Sequence, residues 1–149
     1  VYPMNFRRFF WVRPLEDQQH MKEIIRLFES TVFIGYLSAL TGLSVKNSSR
    51  PCRLRCLTAG SYQILQDNFE EPLGLDVFIS LRGSECVAGE GRIIYLLAED
   101  GEVVAEMPCR ENCLYVAYRT EGCQRFTKYS SQTSEMCVYQ ASALYKVAE

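Results

Sequence analysis

Histidine is nearly absent: His20 is the only one in the 149 residues, so this chain cannot by itself build a site that needs two imidazole ligands. There is no basic excess either. Sixteen Lys and Arg stand against eighteen Asp and Glu, a formal net charge of -2, which leaves nucleic acid without its usual electrostatic attraction. Long apolar runs are missing too. The longest, such as Thr31–Leu43, contain glycine and polar residues and fall short of the roughly 20 residues a membrane helix needs, so no membrane span is expected. No signal peptide is visible, and the chain opens on Val1, which fits a processed terminus, a domain cut from a longer protein or an absent leader. The seven cysteines are odd in number and irregularly spaced, unlike a secreted disulfide framework. They are expected as thiols in an intracellular reducing compartment, the cytoplasm, nucleus or mitochondrial matrix.

What is present suits one folded domain. The chain is long enough to bury a core, and 48% hydrophobic with 12% aromatic residues argues against disorder. Residues 1–13 read as an N-terminal arm. The segment Phe6-Arg7-Arg8-Phe9-Phe10-Trp11 is basic and aromatic, without helical or strand periodicity, and has to bury its rings on its own domain or on a partner. Tyr2, Phe6, Arg7, Phe9, Phe10 and Trp11 are therefore the candidate partner-binding residues, since aromatics and arginine dominate interface hot spots. Residues 14–149 form the domain proper. Pro14, Glu16 and Asp17 open a helix in which Met21, Ile24, Ile25 and Phe28 recur at helical spacing. A second, apolar helix runs from Thr31 to Leu40 and stops at Gly42. Lys46–Pro51 reads as a polar loop and a further contact element.

Beyond Pro51 the texture is that of strands. Short alternating runs flank Ala59-Gly60-Ser61, and Leu75–Leu81 reads as a strand buried on both faces. Arg92–Ala98 and Glu102–Met107 flank Asp100-Gly101, a strong hairpin signal. Cys113–Tyr118 and Gln124–Tyr129 follow, joined by Thr120-Glu121-Gly122, and the last strand starts at Met136–Val138 and continues to Val147. The fold class expected is mainly β with N-terminal helices: a sandwich or barrel buttressed by two helices.

From Phe28 onward the order of segments resembles the prolyl-hydroxylase-like 2-oxoglutarate and iron(II) oxygenases, above all the second, degenerate domain of the branch that hydroxylates a ribosomal-protein proline. The likeness rests on Phe28–Phe33 leading into Tyr36–Leu43, and on Leu57-Thr58-Ala59-Gly60-Ser61-Tyr62-Gln63-Ile64-Leu65-Gln66-Asp67. Leu75-Asp76, Gly89-Glu90-Gly91, Pro108–Leu114 and Arg125-Phe126-Thr127-Lys128-Tyr129 continue it. It covers about three quarters of the chain. It implies a double-stranded β-helix, or jelly roll, and a facial triad of two His and one carboxylate. Gln66 and Asn68 stand at the family's His-x-Asp pair and Thr127 at its distal His. Ser130–Tyr139 holds no Arg or Lys to clamp the cosubstrate. The resemblance thus implies lost metal-site positions at Gln66, Asn68 and Thr127, no cofactor and no catalytic residue.

Other chemistry is weakly signalled. Cys109-x3-Cys113 with Cys123, and Cys52-x3-Cys56, are looser than a zinc knuckle, and Cys52 and Cys56 would lie about 13 Å apart on one extended strand face. They read as small buried hydrophobes. A Cys–His nucleophile would need His20 to reach a thiol. Asp76, Glu70 and Glu71 could pair for acid–base work, but Asn68–Glu71 reads as a solvated acidic loop. Tyr95, Tyr115, Tyr118, Phe126 and Tyr129 read as core plus one sheet face. The functional expectation is a non-catalytic interaction or scaffold module in an assembly with other protein subunits. The alternative is a degenerate C-terminal domain of a prolyl hydroxylase whose catalytic domain lies outside this chain. The full-length transcript separates the two.

Overall fold

Two helices form, the first with a clear 3.6-residue apolar period and the second apolar on most sides. In the computed structural model, which describes residues 7–8, 10–12, 19–63, 73–83, 91–97, 99–131 and 137–148, α1 spans Gln19–Glu29 and α2 spans Thr31–Thr41. The expected start of α1 at Pro14 lies outside the described residues. Ser30 explains the break between the helices. Its Oγ accepts from the Phe33 amide at 3.2 Å and donates to the Leu27 carbonyl at 2.7 Å, so one residue closes α1 and caps α2. The helices meet at 57°, and no single described helix is long and apolar enough to cross a membrane. Gly42, with φ 72°, ends α2 as expected.

Among the described residues there are ten strands: β1 (Arg7–Arg8), β2 (Phe10–Val12), β3 (Val45–Thr58), β4 (Tyr62–Gln63), β5 (Gly74–Gly83), β6 (Ile93–Leu97), β7 (Val103–Met107), β8 (Cys113–Arg119), β9 (Cys123–Thr127) and β10 (Cys137–Val147). Strands β1 and β2 fall in the arm, where no strand was expected, and β3 brings a further correction. Lys46–Pro51 is not a loop but the first part of β3, paired with β10 along its length. Backbone ladder bonds do not depend on an alternating side-chain pattern, so polar Lys46-Asn47-Ser48 can be a strand where a partner strand is available. Pro51 is accommodated by a register shift: Ser142 pairs with Arg53 and Leu144 with Arg50, so β3 contributes an extra residue there.

All pairings are antiparallel. One sheet has the order β1-β4-β9-β6-β7 and the other β2-β3-β10-β5-β8. From β3 onward the chain changes sheet at every connection except the β6–β7 hairpin, which makes a double-stranded β-helix buttressed by two helices. Of the N-terminal arm, Arg7–Arg8 and Phe10–Val12 join this domain by their backbone: β1 pairs with β4 at the edge of one sheet and β2 with β3 at the edge of the other.

The β3–β10–β5–β8 sheet is buried on both faces, which is why Leu75–Leu81 is nearly all apolar. Leu75 and Val77 face outward and join Cys52, Leu54, Ala141, Ala143 and Tyr145 beneath Phe28, Phe33 and Leu37. Burying each Phe or Leu contributes about 1.5–3 kcal/mol. The Tyr145 hydroxyl donates to the Phe28 carbonyl at 2.6 Å, tying α1 to the sheet. On the inner face, Phe78 packs with Ile93, Tyr95 and Met107 of the opposing sheet.

Gly74 starts β5 with φ 149°, and a Cβ there would stand 2.2 Å from the Tyr145 carbonyl oxygen. Gly74→Ala therefore combines backbone strain with a clash against a central strand, and the loss expected in urea unfolding is at least about 2 kcal/mol. The helix-covered core also sets an alkaline limit. Burial pushes the Cys52 thiol from 9.0 up to about 12, and burial likewise raises the Tyr145 phenol. The unfolded chain releases these protons first, so their contribution is complete below pH 9 and falls as pH rises toward 12. The urea midpoint is expected to decline above pH 9, with a slope of up to about 1.4 kcal/mol per pH unit per group, and Cys52→Ala is expected to flatten it.

Candidate functional site

Alternation along seven strands sends a set of polar side chains into the space between the sheets. Arg55 from β3, Gln63 from β4, Asp76 and Ser80 from β5, Arg119 from β8, Thr127 from β9 and Gln140 from β10 are all buried. Tyr95 from β6 and Arg125 from β9 complete the set. Charged residues are rarely buried unless they are paired, and these form two connected groups.

The first is centred on Asp76, which is 1% exposed. Its Oδ2 takes Arg125 Nη1 at 2.8 Å and the Tyr95 hydroxyl at 3.0 Å, with Arg119 Nε at 3.4 Å. Asp76 pairs in register with Ala117, so Arg119, two residues along β8 on the same face, is its diagonal neighbour. Burial, followed by the charge of Asp76, raises the Tyr95 phenol above its ordinary value, so Tyr95 stays a protonated donor to Asp76. Asp76 Oδ1 has no hydrogen-bond partner among the described residues.

In the second group, Arg55 Nε donates to Gln140 Oε1 at 2.7 Å and Nη1 to Gln63 Oε1 at 3.2 Å. Gln140 Nε2 reaches Ser80 Oγ at 3.4 Å. Phe78 joins the groups: the Arg55 guanidinium lies 5.7 Å and that of Arg125 5.2 Å from its ring centroid. Bonds run between the sheets in both groups, so this polar interior also fastens the two layers together.

Of the positions singled out from sequence, Thr127 is buried in β9 and pairs in register with Gln63. Gln66 and Asn68 lie outside the described residues, as do Tyr2, Phe6 and Phe9. Arg7, Phe10 and Trp11 contribute backbone to the edge strands β1 and β2. His20 lies on α1 with its side chain 98% exposed, 3.8 Å from Glu23, on an element outside the jelly-roll interior. Asp76 was noticed as an acid but its arginine partners were not, nor was Arg55. A signal existed for two of them: Asp76 stands between Leu75 and Val77, and Arg119 ends a strand of six uncharged residues, Cys113–Tyr118.

Chemically, this interior is built of hydrogen-bond donors. Guanidinium groups on Asp76 oppose a divalent cation, and carboxamides and a threonine hydroxyl are weak ligands, so the described residues do not fit a bound iron. No three His, Cys, Asp or Glu side chains converge among the described residues.

Removing the Asp76 charge leaves Arg119 and Arg125 with uncompensated burial. Asp76→Asn is expected to cost about 3–5 kcal/mol in urea unfolding, and more than Glu106→Gln at the exposed Arg92–Glu106 pair.

No family model matches the sequence, and no curated protein matches it. Solved structures do. A prolyl-4-hydroxylase from Pseudomonas putida superposes with a TM-score of 0.61 at 11% identity, over 97% of this chain and 76% of that one. A prolyl hydroxylase from Trichoplax adhaerens, solved with a hypoxia inducible factor oxygen degradation domain peptide, gives 0.58 at 13% identity, over 94% of this chain and 62% of that one. An oxidoreductase of the 2OG-Fe(II) oxygenase family from Burkholderia pseudomallei gives 0.57 at 13% identity, over 93% and 65%. The chain spans less than two thirds of the latter two proteins. At these identities the likeness is one of fold.

Proposed function

We propose that this chain is a non-catalytic interaction module built on the 2-oxoglutarate oxygenase jelly roll. One observation carries the reading: the only histidine in the sequence is His20, exposed on α1 outside the fold's interior. The enzymes of this fold hold iron with two histidines and a carboxylate, and one imidazole cannot serve as two. The Asp76–Arg119–Arg125 cluster supports the same reading, because it uses a buried carboxylate to neutralise arginines and leaves it ill suited to a metal. The run Leu57–Asp67 supports descent from the degenerate second domain of the ribosomal-protein hydroxylases.

Interaction with protein subunits is supported by the outer face of α2. Thr31, Val32, Gly35, Tyr36, Ala39 and Leu40 are exposed there, and none is charged. Val32 is 79% exposed, Leu40 55% and Tyr36 51%, at i, i+4 spacing. An uncharged exposed apolar stripe of this kind suits a protein contact.

The test is direct. The purified full chain, loaded anaerobically with iron(II) and desalted, is analysed for metal, and 2-oxoglutarate is titrated by calorimetry. The expected outcome is no stoichiometric iron and no cosubstrate heat. One iron per chain, or micromolar 2-oxoglutarate binding, overturns the non-catalytic reading.

A further inference from the structure

Among the described residues, two cysteines far apart in the sequence are placed together in the fold. On the β3–β10 ladder Tyr139 lies opposite Cys56 and Cys137 lies opposite Thr58. Cys56 and Cys137 are therefore diagonal neighbours on one face, 81 residues apart in sequence, with their sulfurs 3.9 Å apart. They sit on the helix-bearing side of the sheet but outside the main apolar cluster that buries Cys52. The two thiols differ in access: Cys56 is buried and Cys137 half-buried. Tyr139, 37% exposed, lies opposite Cys56 and two residues along β10 from Cys137.

We propose that Cys56 and Cys137 form a redox couple that closes to a disulfide across β3 and β10 when the protein meets a low-molecular-weight disulfide such as oxidised glutathione. The Cys137 thiolate, the more accessible, attacks one sulfur of the small disulfide. A mixed disulfide forms at Cys137 and one small thiol leaves. The Cys56 thiolate then attacks Cys137 Sγ, forming the internal bond and expelling the second small thiol. Two cysteine thiols and one small disulfide become one protein disulfide and two small thiols. Two electrons pass to the oxidant and the two protons end on the released thiols.

Closing the bond needs the sulfurs to approach from 3.9 Å to about 2.05 Å. Cys56 and Cys137 are diagonal rather than register partners, so closure also draws β3 and β10 together at this corner. Burial, and then the neighbouring Cys137 thiol, push the Cys56 thiol up to about 11. The second step therefore speeds up as pH rises, following the thiolate fraction of Cys56. A dithiol reductant reverses the bond.

The test uses the full chain in glutathione redox buffers of increasing oxidised fraction. Samples are quenched in acid, alkylated under denaturing conditions and mapped by mass spectrometry. The expected result is two fewer alkyl adducts than the seven cysteines of the reduced chain, with a Cys56–Cys137 linked peptide. Cys56→Ser is expected to stop at a stable mixed disulfide on Cys137, and Cys137→Ser to leave Cys56 reduced. Seven adducts in every buffer, a linkage through other cysteines, or no mixed disulfide on Cys137 in Cys56→Ser overturns the proposal. The wild-type peptide map decides the matter even if a variant fails to fold.

Discussion

An ionised carboxylate inside a protein has to be met by opposite charge or by several donors, and in this jelly roll Asp76 sets that requirement. It lies on β5, on the inner face of a strand whose outer face is packed under both helices, so it cannot turn toward solvent without exposing Leu75 and Val77. Arg125 and Tyr95 reach it from the opposing sheet, and Arg119 reaches it from the neighbouring strand. The distance between the layers and the register of β5 on β8 both have to suit these contacts. Arg55, held by Gln63 and Gln140, makes a second crossing between the layers next to the same Phe78 ring. The interior is thereby committed to holding the sheets together through polar bonds.

That commitment bears on function. In an enzyme of this fold the space between the sheets has to receive metal and cosubstrate, and its side chains have to present lone pairs. Here the described interior side chains pair largely with one another, and Asp76 Oδ1 is left without a hydrogen bond. A buried ionic network of this kind is a poor source of net stability compared with an apolar core, but it tolerates few alternative packings. The part of the molecule that faces solvent as an unusual surface is instead the uncharged side of α2, on the far side of the sheet from the interior.

The helices and most strands were legible from residue order because their causes are local. Met21, Ile24, Ile25 and Phe28 recur with the period of a helix, Gly42 can adopt positive φ, and Asp100-Gly101 makes a tight turn whichever sheet its strands join. Lys46–Pro51 was misread for the converse reason. Nothing in those six side chains alternates, and they form a strand because β10, nearly a hundred residues later, supplies hydrogen-bond partners and a bulge that admits Pro51.

The same division holds for the site. Composition alone determined that this chain has one imidazole, which limits the metal chemistry it can support in any conformation. The pattern of apolar residues also determined that Leu75–Leu81 would be covered on both faces. Only the tertiary structure decided that Asp76 meets Arg119 and Arg125, and that Cys56 meets Cys137 rather than Cys52. The physical reason is that strand pairing joins residues by register across the sheet and by inward parity between sheets, and neither relation follows from separation along the chain.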